Sequence, residues 1–592
     1  MPRALAPYER PASAAAGPGS CSAIAGAARR RPEQQLRGAT VTRRLFTGST
    51  VWAGATCAPR PAWLLVEDDR VAALEEAKQP PPPADDVVEL PGCHVLPGFV
   101  DVHLHLSQAA WFPHGGDGLE WRSLAEARHA VRVAADAAPQ APWLLFWRVP
   151  RFAWPDGRLP TARELDEAVP GRRVLVSTLD MHRGALSSAG LAALGLADHR
   201  AGDFGEDVTR DRRGRPTGEV WEAAYGVALQ RALADTQAQR GEQGAAAVLA
   251  AEADRCLGYG VTHAHDPYVS PDLHGRMLAL RATSRLRLSW ATGSPAGMLS
   301  RPPGPATAPD GAYGDAGREV KLFADGGERA AFRLPSRAVV DLFAGAAAEA
   351  WRMRATGPLR EALRRKVILR PGHLHTPYLR YTDTELTDLI AGYADAGVRL
   401  RIHALGNLAV AQAARALRTA GIPPGTATID HLLLLDPATA DLVAASGATA
   451  SYQPGFIPRY GDMISATRTD RHLTAFGARL LQQAGVPLAL SSDYPCGALD
   501  PLHNLRAAIH RRRPSGRQLQ PEQALTQSEA VRAHTVTAAA SLGVPGAGGL
   551  APGQPADLVI CDGDPFQPQT RVTQTWVAGR PVWRAPDLTR GP

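Results

Sequence analysis

The chain has 592 residues, 45% of them hydrophobic, which is enough for a sizeable core and for one large domain with a smaller one attached. The net charge of +7 is unevenly placed: residues 1–44 hold eight arginines and two glutamates, while the rest carries 57 basic and 56 acidic residues. A nearly neutral body with no basic, aromatic-studded stripe excludes nucleic acid. The lack of an 18-residue apolar run excludes a membrane-spanning helix, and no membrane partner is expected.

Residues 1–44, rich in Ala, Pro, Gly and Arg, read as a disordered basic tail. Thr42-Arg-Arg-Leu-Phe46 resembles a twin-arginine export signal. The stretch behind it, through Cys57, is short and weakly apolar and runs straight into Trp63–Glu67 and Asp69–Ala72, which read as strands. Thr42–Phe46 is therefore read as opening the first strand. Residues 45–92 form a small β unit, interrupted by the linker Pro80–Pro83. The six cysteines are scattered without a C-x-x-C pair, which fits a reducing cytoplasm.

Next comes Val95-Leu-Pro-Gly-Phe-Val-Asp-Val-His-Leu-His-Leu106, an apolar run ending in Asp101, His103 and His105. Alternate side chains of a strand share a face, so both imidazoles project together, a ready site for a divalent metal. From here apolar runs alternate with helical stretches. Strands are expected at 95–102, 174–177, 261–265, 320–323, 400–403, 427–431, 448–452 and 487–491. Helices are expected at 122–138, 221–257, 383–396, 407–420, 436–446 and 472–484. Eight strands with interleaved helices give an α/β fold, a parallel (β/α)8 TIM barrel over 93–545, with 328–370 as a helical insertion. After a helix near 527–542, strands at 556–561 and 572–576 place a second half of the β unit at 546–584. Both chain ends then build one small β-sandwich.

In such a barrel, functional groups gather at strand C-termini. The first strand ends in His103 and His105, the third in His263, His265 and Asp266, and the fourth carries Lys321 with Asp325 in the following turn. The fifth ends in His403, the sixth in Asp430-His431 and the eighth in Ser491-Ser492-Asp493. Lysine is scarce: of 65 basic residues only Lys78, Lys321 and Lys366 are lysines, and only Lys321 sits in an apolar strand. A guanidinium cannot form a carbamate and an amine can; the alternative for Lys321 is a buried ion pair with Asp325. A second H-x-H at His373 and His375 precedes a helix rather than ending a strand, and is read as a decoy. Cys496 is read as packing.

These segments, together with Gly260-Val-Thr-His-Ala-His-Asp266, Ile402-His-Ala-Leu-Gly-Asn407, Tyr452-Gln-Pro454 and Gly549-Leu-Ala-Pro-Gly-Gln-Pro-Ala-Asp557, resemble the metal-dependent amidohydrolases over residues 45–584. Within that superfamily the chain is similar to the amidohydrolase-3 group (YtcJ-like, N-substituted formamide deformylase-like). The resemblance implies metal ligands at His103, His105, Lys321, His403, His431 and Asp493, with Lys321 matching a position that is often a carboxylated lysine. It implies Asp493 as general base, His182 facing the substrate, and Gln453 and Glu222 as further substrate contacts. Zinc, as one or two ions, is the implied cofactor, and a homodimer is consistent with many relatives. The implied activity is hydrolysis of a non-peptide C–N bond in a small amide or formamide. The alternatives are a metal-dependent lactonase or esterase on the same fold, or a catalytically silent scaffold. The loop Phe146–Val149 and Asn407 depart from the group's pattern and bear on substrate choice rather than on the metal core.

Overall fold

The computed structural model describes residues 42–54, 58–151, 154–197, 204–293, 318–544 and 546–586. The basic tail read at 1–44 thus lies outside the described residues up to position 41. Arg43 and Arg44 open a strand, Arg43–Val51, as the sequence suggests.

The centre is a parallel sheet of eight strands in chain order: β1 (Phe99–Asp101), β2 (Val261–Val269), β3 (Arg287–Thr292), β4 (Glu319–Phe323), β5 (Arg399–Gly406), β6 (Ala427–Leu435), β7 (Thr449–Tyr452) and β8 (Leu488–Leu490). Every neighbouring pair from β1 to β8 is parallel. The two end strands meet through the segments that extend beyond them: Asp493 N donates to His103 O at 2.7 Å and His105 N to Tyr494 O at 2.8 Å. Helices such as Asp383–Asp395, Asn407–Thr419 and Pro437–Ser446 connect successive strands, and Leu386, Ile390, Val410 and Val443 bury their apolar faces in the main core. This is the expected (β/α)8 barrel.

One strand of the expected eight belongs elsewhere. Val174–Thr178 lies in a six-stranded sheet built from residues 116–221, inserted between β1 and β2. The true third strand is β3, Arg-Leu-Ser-Trp-Ala-Thr over 287–292. A fully buried apolar run such as Val174–Thr178 looks the same in either sheet, whereas β3 is diluted by Ser289 and two flanking polar residues. His263 and His265 therefore stand on the second barrel strand, not the third. The inserted sheet leads directly into a long helix, α1 (Glu222–Gly258).

Both chain ends pair in one eight-stranded sheet, in which His94–Pro97 lies between Arg43–Val51 and Leu558–Cys561. Its own apolar cluster includes Leu64, Val95, Ile560 and the edge-to-face pair Phe46–Trp576, ring centroids 5.1 Å apart. Residues 328–370 fold as helices α2 (Ala338–Met353) and α3 (Gly357–Arg364), with strands Arg333–Pro335 and Ile368–Arg370 flanking His373–His375. The second H-x-H is thus a strand after all, in a small satellite sheet outside the barrel.

Candidate metal centre

Beyond Asp101, the chain crosses the C-terminal mouth of the barrel as Val102-His103-Leu104-His105. Asp101 Oδ1 accepts the backbone N–H of His103 at 3.2 Å and of Ser492 at 3.1 Å, tying the segment after β1 to the one after β8. Burial pushes the Asp101 carboxyl up to about 7, against these hydrogen bonds. The stitching carries Asp493 over the two imidazoles. Its Oδ1 lies 3.4 Å from His103 Nε2 and 3.2 Å from His105 Nε2, and the three residues offer ligand atoms all within 4.8 Å of one another.

These donors fit a divalent cation. Asp493 Oδ1 is buried and makes no hydrogen bond within the protein, although two imidazole nitrogens face it. A buried oxygen left this way costs free energy unless something cationic completes it. Burial holds the His103 imidazole down, to about 4. It works against the Asp493 carboxylate, but His103, His105 and His431 outweigh it and keep the group below the usual carboxylate range. A neutral imidazole and an ionised carboxylate are the forms that bind metal.

His431 and His403 continue the same run of rings. The His431 ring centroid is 4.9 Å from that of His103 and 4.6 Å from that of His403, which in turn is 5.0 Å from His182. In β6, Asp430 and His431 both serve the interior, which a regular strand forbids for neighbours. The chain manages it by a left-handed backbone at His431 (φ 79°) and Leu432 (φ 45°); Asp493 (φ 48°) and Glu222 (φ 41°) are left-handed too. Such conformations are costly for residues other than glycine, and four of them gather around one site. Gln453 stands behind His431, its Oε1 3.0 Å from His431 Nδ1, while its amide donates to Ser451 O and to Ser491 Oγ. With Nδ1–H given to Gln453, His431 Nε2 keeps its lone pair.

His182 and Glu222 come from the inserted sheet. Glu222 Oε2 is 2.6 Å from His182 Nδ1, its Oε1 accepts Gly327 N at 3.2 Å, and its own N–H donates to His182 O. Burial would lower the His182 imidazole, but Glu222 overrides this and raises it to about 8. The two glycines Gly326 and Gly327 are required here: a Cβ at 326 would sit 2.1 Å from Glu222 Oε1, and one at 327 would sit 2.6 Å from His182 Cγ.

Lys321 points into the barrel, where its amine pairs with Asp430 Oδ2 and not with Asp325. Asp325 instead accepts the backbone N–H groups of Ala331, Leu405 and Gly406. Asp430 Oδ1 lies 2.8 Å from Arg401 Nη1 and 3.1 Å from His103 Nδ1, and Glu319 Oε1 is 3.5 Å from Arg401 Nε. Asp430 therefore backs His103 as a carboxylate partner behind the nitrogen that faces Asp493. Burial pulls the Lys321 amine below its ordinary value, against the attraction of Asp430. The part played by Asp430, Glu319 and Arg401 is one that sequence reasoning missed. The signal was there: Glu319 precedes Lys321 by two, and Arg401 precedes His403 by two, so both charges sit on the inward face of buried strands.

Other candidates lie apart from the centre. His263 Nε2 and His265 Nδ1 both lie 3.1 Å from Ser289 Oγ, and His265 Nε2 is 3.3 Å from Glu319. Asp266 accepts the N–H of Ser107 and of Tyr268. Cys496 is buried in the main core.

Three comparisons bear on this site. A model of the amidohydrolase family matches residues 86–583. The chain is 26% identical to an N-substituted formamide deformylase of Arthrobacter pascens, over 90% of this chain and 96% of that one. It is also 26% identical to the putative amidohydrolase YtcJ of Bacillus subtilis, over 82% and 87% respectively. An uncharacterised metal-dependent hydrolase from Pyrococcus horikoshii shares the fold, with a TM-score of 0.60, 18% identity, and coverage of 89% of this chain and 98% of that one.

Proposed function

Since the chain belongs to the amidohydrolase family, whose members are metal-dependent hydrolases, we propose that it cleaves a non-peptide C–N bond in a small amide, formamide or related molecule. The observation that carries this reading is the convergence of Asp493 Oδ1 on His103 Nε2 and His105 Nε2, with no hydrogen bond to satisfy it. The formamide deformylase among its relatives supports the class of bond. His103, His105 and Asp493 would hold a divalent cation, zinc first, with His403, His431 and Lys321 as the remaining ligands of a one- or two-ion centre.

When bound, such a cation supplies Lewis acidity, polarising a carbonyl and letting water ionise near neutral pH. The protein's residues do the rest. Asp493, ionised and fixed by its own backbone bond to His103, accepts the proton of the attacking water and returns it to the departing nitrogen. His182 approaches from the side of His403. With Nδ1 held by Glu222, its Nε2–H is left as the donor to the oxygen that gains charge. Gln453 fixes the His431 ring, and Asp430 fixes His103.

Metal analysis of the purified protein tests this. Zinc, iron or manganese is expected at one or two ions per chain, together with amide or formamide hydrolysis that a chelator abolishes and added metal restores. Protein that is free of metal, with hydrolysis indifferent to chelator, overturns the reading. Turnover of lactones but not amides by the metal-loaded enzyme would move it to the ester class. Intact mass measured with and without acid treatment tests carboxylation of Lys321, which must first displace the amine from Asp430.

A further inference from the structure

Among the described residues, nine large apolar side chains stand exposed, and six of them fall within residues 340–369. They are not scattered. On α2, Val340, Phe343, Ala347 and Trp351 recur at spacings of three, four and four, so they line one face of the helix along its whole length. That face is outward: Trp351 is 85% exposed and Val340 69%. The opposite face is already used. Val339 and Leu342 pack on the main core, and Gly345 lies so close to the helix Ile457–Ala466 that a Cβ would sit 2.2 Å from Ala466 O. Next to it, α3 adds Leu363 at 71%, and the strand after it adds Leu369 at 63%.

Charge frames this apolar face. Residues 337–370 contain eight arginines and lysines against three carboxylates, a local +5 in a body whose total is +1. Two of those carboxylates are taken, Asp341 by Arg471 and His472 and Glu349 by Arg352. Arg337, Arg354, Arg360, Arg364 and Arg370 are exposed and have no carboxylate partner among the described residues. We infer that α2, α3 and the strand after them form a docking face for an anionic lipid bilayer, with Phe343, Trp351 and Leu363 entering the headgroup layer and the arginines meeting lipid phosphates. An apolar stripe with Trp and Phe, flanked by arginines that lack carboxylate partners, is the pattern of helices that lie in the membrane interface.

Two other occupants fit less well. A second copy would bring the same exposed arginines against themselves, which like charges oppose. An acidic protein would need a groove shaped to a row of protruding side chains, whereas a bilayer yields to them. No helix among the described residues is long and apolar enough to cross a membrane, so the contact is peripheral. The near-neutral body hides the patch from any whole-chain count, because the rest of the body balances it with acidic residues.

Co-sedimentation of the full chain with vesicles tests this. Binding is expected to phosphatidylglycerol–phosphatidylcholine vesicles, falling as salt rises, with little binding to pure phosphatidylcholine. Reversing three charges, Arg354→Glu, Arg360→Glu and Arg364→Glu, is expected to weaken binding about a hundredfold or more. Phe343→Ser with Trp351→Ser is expected to weaken it about tenfold or more while leaving the far-UV spectrum unchanged. A chain that stays in the supernatant with both vesicle types overturns the inference. So does binding that both sets of variants retain, which would place it elsewhere, for instance in the basic segment 1–44. A dimer in solution that Trp351→Ser converts to monomer would assign the face to a second copy and overturns it equally.

Discussion

Two segments of this molecule carry the same local pattern and come to opposite ends. His103-Leu-His105 stands at the mouth of the barrel, and His373-Leu-His375 stands in the three-stranded satellite sheet. In both, two imidazoles stand two residues apart, on bent chain just past β1 at the mouth and on a strand in the satellite sheet. At the mouth, a carboxylate from far along the chain arrives within 3.2 and 3.4 Å of both rings, and a second carboxylate backs one of them. In the satellite sheet, the rings stack at 5.7 Å and the side chain that reaches them is Arg333, a cation. What separates the candidate metal site from a pair of histidines is thus the acid that closes on them, and only the fold delivers it.

The largest effect that would break or confirm this contrast is loss of the closing acid. Asp493→Ala is expected to remove essentially all bound metal at micromolar chain concentration, an affinity loss of at least about a thousandfold, beyond the 10–100-fold usual for partners behind the ligands. Metal per chain, measured after desalting, checks it. Asp493→Ala protein that keeps its full metal complement would mean that the cation sits elsewhere.

The backing acid should matter next, and through stability as much as through metal. Asp430 is buried between Lys321, Arg401 and His103. Asp430→Ala strands the buried Lys321 amine and leaves Arg401 to Glu319 alone, and is expected to cost about 3–5 kcal/mol in denaturant unfolding. Adding Lys321→Met should recover part of that loss, because it removes the stranded charge. A single substitution that unfolds like the parent protein would show that the interior network is hydrated rather than buried.

Gln453 tests the same contrast more gently. It touches no reacting group in the structure but fixes His431 through Nδ1. Gln453→Leu is expected to weaken metal binding about 10–100-fold with little change in fold. If affinity were unchanged and only the Michaelis constant rose, Gln453 would be a substrate contact, as the family resemblance implies.

The sequence made much of this legible, and its failures have identifiable causes. The barrel strands that lead to His103, His403 and His431 are legible because long apolar runs survive in a buried parallel sheet. The apolar run 174–177 reads as a barrel strand although it lies in the inserted sheet, because such a run reports burial and not partner. His431 faces inward beside Asp430 only through a left-handed backbone at a residue that gives no hint of it. The pairing of Lys321 with Asp430 rather than Asp325 depended on which of two nearby acids had backbone N–H groups of its own to accept. Asp325 has three, and that count exists only once β4 and β5 are side by side.

The smallest expected effect is the most pointed. His373→Ala together with His375→Ala removes an H-x-H as complete, residue for residue, as the one at the mouth. These rings are half-buried, with no carboxylate at either imidazole among the described residues, and burial and neighbouring cations lower the His375 imidazole. The double substitution is therefore expected to leave metal content unchanged and stability within about 0.5 kcal/mol of the parent. Metal analysis and a denaturant midpoint measured side by side would show it. If metal content fell with this pair as it does with Asp493→Ala, the closing carboxylate could not be the deciding feature. The pattern itself would then be sufficient to bind, and the closing acid would no longer separate the mouth from the satellite sheet.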